Sequence, residues 1–517
     1  MRTRLVWIGV TGPIATAILM VGAILPWWDE PMNMVSLGAD TTDEVTPRRP
    51  AAGPLCVNPA NPRYFTDGSG RTIYLTGSHT WNNLQDRMDT LQPEFGYSGY
   101  LRLMGRENHN FMRLWVWEQA AWAPWTIDMV KFHPLPYLRT GPEIALDGEP
   151  KFDLTRLNQE YFDRLRSRVS AARDNGIYVA VMLFQGWSVE KKPNQPGNPW
   201  SGHPFHRENN VNGINGDLNG GGEGTEVHTL ENPAITALQE TYVRKVVDTV
   251  NDLDNVLWEI CNEGNPGSMK WQNHMVAYIK NYESTKEKQH PVGITAIYPR
   301  GNNDDLLRSM ADWISPSGNG GENYEGNPPV ADGSKVIIAD TDHLWGVGGD
   351  RGWVWKSFAR GLNPIYMDPF DDPRWNSSRA TVESCRQAMG HTLDYANRMN
   401  LTSMTPHGEL ASTGYCLADP GQDYFVYVPT DASSPESARL AGRLRSLIRN
   451  FRWRFKQTVT VNLSAASGEL LVEWFNPSTG ETLKGASVQG GGDYSFTAPF
   501  RGDAVLYLQK RGTDQVE

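Results

Sequence analysis

The 517-residue sequence has only four cysteines, at positions 56, 261, 385 and 416, too few and too scattered for a disulfide framework or a zinc cluster. It contains no HExxH motif, no GxSxG nucleophile elbow and no phosphate-binding loop, so protease, α/β-hydrolase and nucleotide chemistry have little support. It also lacks a long run of Lys or Arg, and its net charge is -11. Because neutralising phosphates requires clustered cations, no nucleic-acid partner is expected.

The cysteines that are present allow two narrower predictions. Cys261 lies inside a predicted strand and is expected to be a buried thiol. Whether Cys385 and Cys416 form one disulfide bridge in an oxidising compartment stays open, because sequence alone does not give their geometry.

The composition, with 39% hydrophobic and 21% charged residues, is typical of a globular protein, and the length predicts one large domain and one small one. The 19 Trp residues are the strongest compositional feature. Their flat rings suit either core packing or stacking against the apolar face of a sugar ring.

The N-terminus has the pattern of an export signal. Arg2 and Arg4 precede an uncharged apolar stretch from Leu5 to Trp28, which is followed by acidic residues. The stretch is long enough to cross a bilayer and no clean A-x-A site follows it, so a cleaved signal peptide and an uncleaved membrane anchor both stay open for residues 1–39. The expected location is therefore outside the cell, either secreted or anchored at the outer face of the membrane. Residues 40–54 are predicted to be a linker.

From residue 55 onward, short apolar runs alternate with segments of helical periodicity, which predicts βα units around a parallel sheet. Eight such runs are the number that closes a (β/α)₈ barrel, here assigned to residues 55–418. They cover residues 72–78, 110–117, 177–186, 255–263, 291–298, 313–317, 335–342 and 363–370.

Helix signals support this prediction. The helix before the third run places Leu157, Phe162, Leu165 and Val169 on one face, and the next one begins with an Asn cap followed by proline at 232–233. The Gly/Asn-rich segment 187–231 is favoured as a substrate loop over a calcium loop, because the sequence after Asp217 lacks the later calcium ligands. No metal and no cofactor are predicted.

After an amphipathic helix at about 379–399, the sequence changes to short strands separated by turn residues, which predicts a small β-sandwich over residues 419–517. The predicted strands cover residues 424–428, 459–463, 470–475 and 504–508.

The stretch Val256-Leu-Trp-Glu-Ile-Cys-Asn-Glu263 is an apolar strand that ends in two polar residues, where barrel enzymes place catalytic groups. An Asn-Glu pair ending the fourth strand resembles the acid/base signature of the clan A glycoside hydrolases, the cellulase-like superfamily. The resemblance implies that Glu263 is the proton donor and that Asn262 binds the sugar 2-hydroxyl. Glu259 has the same parity as Cys261 and Glu263, so it points to the barrel interior or needs a buried partner such as Arg113.

Retaining hydrolysis requires a second carboxylate about 5 to 5.5 Å from the first. The clan supplies it from the end of the seventh strand, here Lys335-Val-Ile-Ile-Ala-Asp-Thr-Asp-His-Leu-Trp345, and alignment puts Asp340 at that position. An aspartate is one methylene shorter than the clan's usual glutamate, so Asp342, two residues on, stays open as the nucleophile. A wider gap between the carboxylates would admit a water and predict inversion.

Other strand ends supply polar and aromatic side chains at the same end of the barrel, which is where pockets form. Arg113 resembles the arginine that supports the nucleophile in the clan. Weaker candidates are Glu118, Gln185 and Asp368. The predicted substrate-binding residues are Asn262, His79, Trp81, Arg113, Trp117, Trp187, Tyr298, His343 and Trp345.

Residues 61–81 at the start and 473–477 with 498–508 at the end resemble barrel proteins with a terminal sandwich of the collagen-binding type. Collagen binding itself does not follow from these residues. The predicted partner is a poly- or oligosaccharide, and the sequence does not indicate an oligomeric state.

Two alternatives stay open. One is a surface protein that binds carbohydrate without hydrolysing it. The other is a metal-dependent hydrolase that uses Asp340, Asp342, His343 and His79 as ligands from several strands.

Overall fold

The computed structural model describes residues 53–88, 95–189, 195–318, 321–370, 378–430 and 456–511. The segment predicted to be a signal peptide or anchor, and nearly all of the predicted linker, lie outside these residues. Within them, no helix is both long enough and apolar enough to span a membrane.

A small antiparallel sheet precedes the barrel and consists of β1 (Cys56–Val57), β2 (Phe65–Thr66) and β3 (Thr72–Ile73). Phe65 of this sheet and the neighbouring Leu55 pack against Phe111 and Val336, which lie on barrel strands. The sheet therefore covers the end of the barrel at which the strands begin.

Eight parallel strands close the barrel, as the sequence predicts, in the order β10-β11-β12-β13-β14-β15-β4-β6. Seven of them lie within a predicted run, and β4 overlaps the first run and extends one residue beyond it. The strands are β4 (Gly77–His79), β6 (Phe111–Leu114), β10 (Tyr178–Gln185), β11 (Val256–Asn262), β12 (Val292–Thr295), β13 (Trp313–Ser315), β14 (Val336–Asp340) and β15 (Asn363–Met367).

The barrel interior changes from apolar to charged along the strands. Phe111, Leu257 and Ile338 belong to one buried apolar cluster on β6, β11 and β14. Alternate residues of a strand face the same side, so the residues two positions later also face inward. These residues are Arg113 on β6, Glu259 on β11 and Asp340 on β14. The charged layer thus lies above a packed apolar one, at the carboxyl ends of the strands.

Helices follow most of the barrel strands, although the described residues between β13 and β14 contain none. The predicted caps are confirmed: the Asn232 side chain accepts hydrogen bonds from the N–H groups of Ala234 and Ile235, with Pro233 as the first helical residue. The helices are α1 (Tyr97–Arg106), α2 (Gln159–Asp174), α3 (Pro233–Val250), α4 (Met269–Glu283), α5 (Asn303–Leu307), α6 (Asp342–Trp345), α7 (Arg351–Ala359) and α8 (Arg379–Arg398).

Two antiparallel strand pairs and several short turns lie in the connections at the carboxyl end of the barrel, and the sequence did not predict the strand pairs. β5 (Asp86–Met88) pairs with β7 (Lys131–His133), and β8 (Tyr137–Ile144) pairs with β9 (Pro150–Leu157). One 3-10 turn, Gly186–Ser188, begins just before the predicted loop 187–231, and two more lie inside the loop at Pro199–Gly202 and Thr225–His228. A fourth, Gly408–Leu410, lies in the C-terminal region.

The C-terminal region is a two-layered β-sandwich, as the sequence predicts. One sheet has the order β16-β17-β18-β23-β20-β21 and the other is the pair β19-β22. Val461 and Phe496 of the pair share a buried cluster with Val426 and Leu506 of the larger sheet. The strands are β16 (Thr405–Pro406), β17 (Cys416–Asp419), β18 (Asp423–Val428), β19 (Lys456–Asn462), β20 (Glu469–Phe475), β21 (Thr482–Gln489), β22 (Asp493–Arg501) and β23 (Ala504–Lys510).

The larger sheet begins at Thr405, before the boundary at residue 419 that the sequence suggests, because β17 pairs with β18 as an antiparallel neighbour. The division into residues 55–418 and 419–517 stays a prediction.

The sandwich packs on the barrel through one aromatic cluster. Trp355 of α7 is buried and stacks on Phe425 and Tyr427 of β18, with ring centroids 6.1 and 6.4 Å away. Beside this stack, Arg351 Nη2 lies 3.1 Å from a carboxylate oxygen of Asp503. Barrel and sandwich residues therefore belong to one continuous hydrophobic core.

Cys261 is a buried free thiol, as predicted. Cys385 and Cys416 are also buried free thiols, so the bridge left open by the sequence is not formed.

Candidate active site

Arg113 is the centre of the charged layer inside the barrel. Its guanidinium is buried and donates hydrogen bonds to both carboxylate oxygens of Glu259, with Nε 2.8 Å from Oε2. Its Nη1 lies 2.7 Å from Asp340 Oδ2, and its Nη2 lies 2.6 Å from Asn262 Oδ1. The predicted pairing of Arg113 with Glu259 is confirmed. One cation thus connects the ends of β6, β11 and β14.

Asp340, at the end of β14, has both carboxylate oxygens occupied. Oδ1 lies 2.9 Å from His79 Nε2 and accepts a second bond from the backbone N–H of Asp342, while Oδ2 accepts from Arg113. The residue is 1% exposed. Burial by itself would raise the pKa of Asp340, but His79 and Arg113 hold this pKa below its usual range. Asp340 is therefore an ionised group built into the barrel interior.

Asp342, the first residue of α6, has different surroundings. Its Oδ2 is buried without a hydrogen-bond partner among the described residues, and the nearest cation, Arg113 Nη1, is 3.7 Å away. Burial, then the charge of Glu263, then the charge of Asp340 raise the pKa of Asp342 well above its usual value. The charge of Glu263 therefore acts on Asp342 within the buried site.

Glu263 follows β11 in a backbone conformation that side-chain-bearing residues rarely adopt, with φ +43°. Its N–H donates to Thr295 Oγ1 at 3.1 Å, and the Thr295 hydroxyl in turn donates to the Cys261 carbonyl. A Cβ on Gly186 would lie 2.0 Å from the Glu263 carbonyl oxygen, so only glycine permits this close approach. The local backbone thus fixes where the carboxylate of Glu263, which is 6% exposed, can lie.

Two aromatic residues lie beside Glu263. The indole N–H of Trp187 donates a hydrogen bond to Glu263 Oε2. The Trp187 ring stacks on Tyr298, with centroids 5.3 Å apart and planes inclined by 27°. Both rings are half-buried. Their partly open surface is suited to contact with a sugar ring.

The Asn262 side chain is oriented by three neighbours. Its Oδ1 accepts from Arg113 and from His343 Nε2, the latter at 3.1 Å, and its Nδ2 donates to Gln185 Oε1, also at 3.1 Å. Burial lowers the pKa of His343 to about 3, so this ring is neutral near pH 7. Its other nitrogen, Nδ1, lies 2.9 Å from Ser315 Oγ.

The remaining predicted residues lie at different depths. His79 is fully buried and binds Asp340. Trp117 is 2% exposed, and its indole N–H donates to the Trp81 carbonyl at 3.0 Å, which places it in the core. Trp81 and Trp345 are half-buried, and the Trp81 ring stacks on Trp125 at 4.7 Å. Asp368, a weaker candidate, forms a buried bidentate pair with Arg386 of α8.

One buried cluster next to the site combines residues that are far apart in the sequence. Glu118 Oε1 lies 2.8 Å from His228 Nε2 and accepts from the backbone N–H of Gln185 at 2.7 Å, and its Oε2 lies 3.4 Å from His203 Nε2. Burial would raise the pKa of Glu118, but the two histidines lower it to about 2. Glu118 was noted from its place at a strand end, whereas the histidines carried no sequence signal because they lie in an irregular loop.

Across the described ranges, no group of three or more His, Cys, Asp or Glu side chains is arranged to hold a metal ion.

Comparison with known proteins gives a family without an assigned function and a set of similar folds. Residues 98–307 match a family described as a domain of unknown function, DUF6298. No curated protein matches the chain. A solved structure described as a glycoside hydrolase has a TM-score of 0.55 and 11% identity, covering 90% of this chain and 98% of its own. A family 5 glycoside hydrolase from Bacteroides vulgatus has a TM-score of 0.53 and 13% identity, covering 90% of this chain and 95% of its own.

At these identities the similarity establishes the fold: a (β/α)₈ barrel with a C-terminal β-sandwich, shared with glycoside hydrolases over most of the chain.

Proposed function

We propose that this protein is a glycoside hydrolase that cleaves O-glycosidic bonds of an oligo- or polysaccharide by a retaining, two-carboxylate mechanism. The observation that carries the proposal is the presence of two buried acids, Glu263 and Asp342, just after the carboxyl ends of β11 and β14, where the charge of Glu263 raises the pKa of Asp342. Barrel enzymes place their catalytic groups at this end. The half-buried rings of Trp187 and Tyr298 beside Glu263 support a carbohydrate substrate.

Glu263 is proposed as the general acid and base, and Asp342 is now preferred over Asp340 as the nucleophile. Both oxygens of Asp340 are committed to His79, Arg113 and the backbone, so attack by Asp340 would require breaking a buried ion pair. Asp342 has a carboxylate oxygen without a hydrogen-bond partner among the described residues.

The protonation states that the mechanism requires are consistent with this assignment. When Glu263 holds the proton it is neutral, and the second largest cause of the raised pKa of Asp342 disappears. Asp342 then ionises more readily, with Arg113 Nη1 at 3.7 Å stabilising the carboxylate. The anion attacks the anomeric carbon while Glu263 protonates the leaving oxygen, and Glu263 then takes a proton from the water that hydrolyses the glycosyl ester.

Asn262 is proposed to bind the sugar 2-hydroxyl through its amide group. Arg113 and His343 hold its Oδ1, and Gln185 accepts from Nδ2, so the second hydrogen on Nδ2 is the donor that remains for substrate.

The experiment is a screen of the wild type and of the Glu263→Gln, Asp342→Asn and Asp340→Asn variants on chromogenic glycosides and polysaccharides. NMR of the first-formed anomer reports retention or inversion. Added azide should restore turnover of Asp342→Asn as a glycosyl azide of inverted configuration, because the small anion replaces the missing nucleophile. Azide rescue of Asp340→Asn instead would return the nucleophile to Asp340.

The two alternative functions give different outcomes. A protein that only binds carbohydrate would retain polysaccharide affinity in all three variants with no wild-type activity to lose. A metal-dependent hydrolase would lose activity in the presence of a chelator and regain it with added metal.

Export is also part of the proposal and is supported by the residue pattern from Arg2 to Glu30. The N-terminal sequence of the mature protein and its distribution between medium and membrane fractions distinguish a cleaved signal from an anchor.

A further inference from the structure

We infer that Gln185 is a positioning residue that aligns the proposed acid/base Glu263 and the proposed sugar-binding Asn262 at the same time. The inference rests on the proposed function. Gln185 is the last residue of β10, and its side chain is fully buried.

A single oxygen of Gln185 connects the two groups. Gln185 Oε1 accepts from Asn262 Nδ2 at 3.1 Å and from the backbone N–H of Trp187 at 3.1 Å. The first bond orients the amide of Asn262, and the second caps the 3-10 turn Gly186–Ser188. Trp187 in that turn donates its indole N–H to Glu263 Oε2. Displacement of this oxygen would therefore disturb both proposed catalytic contacts.

Gln185 is itself held in place from two sides. Its backbone N–H donates to Glu118 Oε1 at 2.7 Å, and this carboxylate is held by His228 and His203. On the other side, Gln185 is paired in register with Asn262 across neighbouring parallel strands. The cluster of Glu118, His203 and His228 therefore fixes the end of β10, from which the Gln185 side chain extends.

The arrangement also has a consequence for proton transfer. A hydrogen bond from the Trp187 indole to Oε2 favours the ionised form of Glu263 over the protonated form. Loss of the turn geometry would weaken that bond, so the carboxylate would hold its proton to a higher pH. A purely structural residue would not change this property.

The test compares Gln185→Met, which has similar length but no amide oxygen, with Gln185→Glu, which keeps an acceptor oxygen. Gln159→Met, at an exposed glutamine of α2, is the matched control. Activity is measured against pH on a glycoside with a poor leaving group. In parallel, the indole N–H resonance of Trp187 is followed by ¹⁵N NMR and assigned by its absence in Trp187→Phe.

We expect Gln185→Met to lower kcat/KM by about 10- to 100-fold, since small displacements of catalytic groups have effects of this size. The basic limb of its pH profile should move to higher pH, and the Trp187 indole resonance should shift. Gln185→Glu should keep the wild-type indole resonance, and Gln159→Met should behave as the wild type in every measurement.

Unchanged pH profile and indole resonance in Gln185→Met, with only a lower unfolding midpoint, would overturn the inference and leave Gln185 as a structural residue. If the indole resonance moves but the wild type cleaves no glycoside, the hydrogen-bond arrangement is supported and the proposed function is overturned instead.

Discussion

The backbone N–H of Asp342 donates a hydrogen bond of 2.9 Å to the side chain of Asp340, two residues earlier, yet the two carboxyl groups have opposite electrostatic surroundings. His79 and Arg113 keep the pKa of Asp340 low, whereas burial and the charge of Glu263 raise that of Asp342. The two aspartates should therefore change the pH dependence of stability in opposite directions.

Asp342→Asn should gain stability over the wild type as the pH rises. The pKa of Asp342 is raised in the folded chain. Its contribution to the free energy of unfolding is therefore complete below about pH 4, the ordinary aspartate pKa, and is lost as the pH rises through the raised value. Because the asparagine amide does not ionise, the Asp342→Asn variant does not lose stability in this way. Urea unfolding at several pH values from about 4.5 to 8 measures the difference, and a constant difference across this range would contradict the expectation.

Asp340→Asn should have the opposite effect. Its lowered pKa stabilises the folded chain above about pH 4, and this contribution is lost as the pH falls through the lowered value. Near pH 7 the substitution breaks a buried ion pair, so a loss of about 3 to 5 kcal/mol is expected. The same unfolding series tests it, and a neutral effect at pH 7 would show that the pair with Arg113 adds nothing to stability.

Glu263→Gln should lose activity in proportion to how much the leaving group needs a proton. We expect a decrease of about 10²- to 10⁴-fold on alkyl glycosides, within the range typical of general acid catalysis, and a small decrease on dinitrophenyl glycosides. The plot of log kcat/KM against leaving-group pKa measures this effect. Glu231→Gln, at an exposed site, is the control. Equal losses on all substrates would remove Glu263 as the acid.

Gly186→Ala should damage the site by steric contact alone. The added Cβ would lie 2.0 Å from the Glu263 carbonyl oxygen, so the 3-10 turn or Glu263 must move, at a cost of about 1 to 3 kcal/mol and with reduced kcat. Gly492→Ala, where the new Cβ meets nothing within 4 Å, is the matched control. Thermal unfolding and kcat of both variants decide the matter, and identical behaviour of the two would refute the close-packing argument.

Trp355→Ala should destabilise barrel and sandwich together. The ring is buried against Phe425 and Tyr427, and truncating a buried Trp costs about 3 to 5 kcal/mol. Unfolding followed by activity and by far-UV circular dichroism should give one transition at a lower midpoint. Two separated transitions in the wild type would mean that the regions are independent.

The barrel was predictable because hydrophobic periodicity and strand length depend on local sequence, and each of the eight strands overlaps a predicted run. The strand pair β8–β9 was missed because its residues alternate weakly and include proline and several charges. The pairing of Arg113 with Glu259 followed from strand parity. The difference between Asp340 and Asp342 did not, because it arises from the turn into α6 and from partners on three other strands.

Trp117 is a second residue whose surroundings could not be predicted from the local sequence. Its position at a strand end favoured contact with substrate, but the insertion that carries β7 covers it, with Phe132 stacked 5.2 Å from its ring. Which strand-end aromatic residues stay accessible depends on the connections between strands, and those carry weaker periodicity than the strands themselves.

The aromatic junction around Trp355 bears on how this chain can change over evolution. A sandwich whose strand β18 completes the same core as a barrel helix cannot be lost, replaced or transferred to another barrel without exposing that core to water. The two regions are thus expected to be inherited and to diverge as one piece.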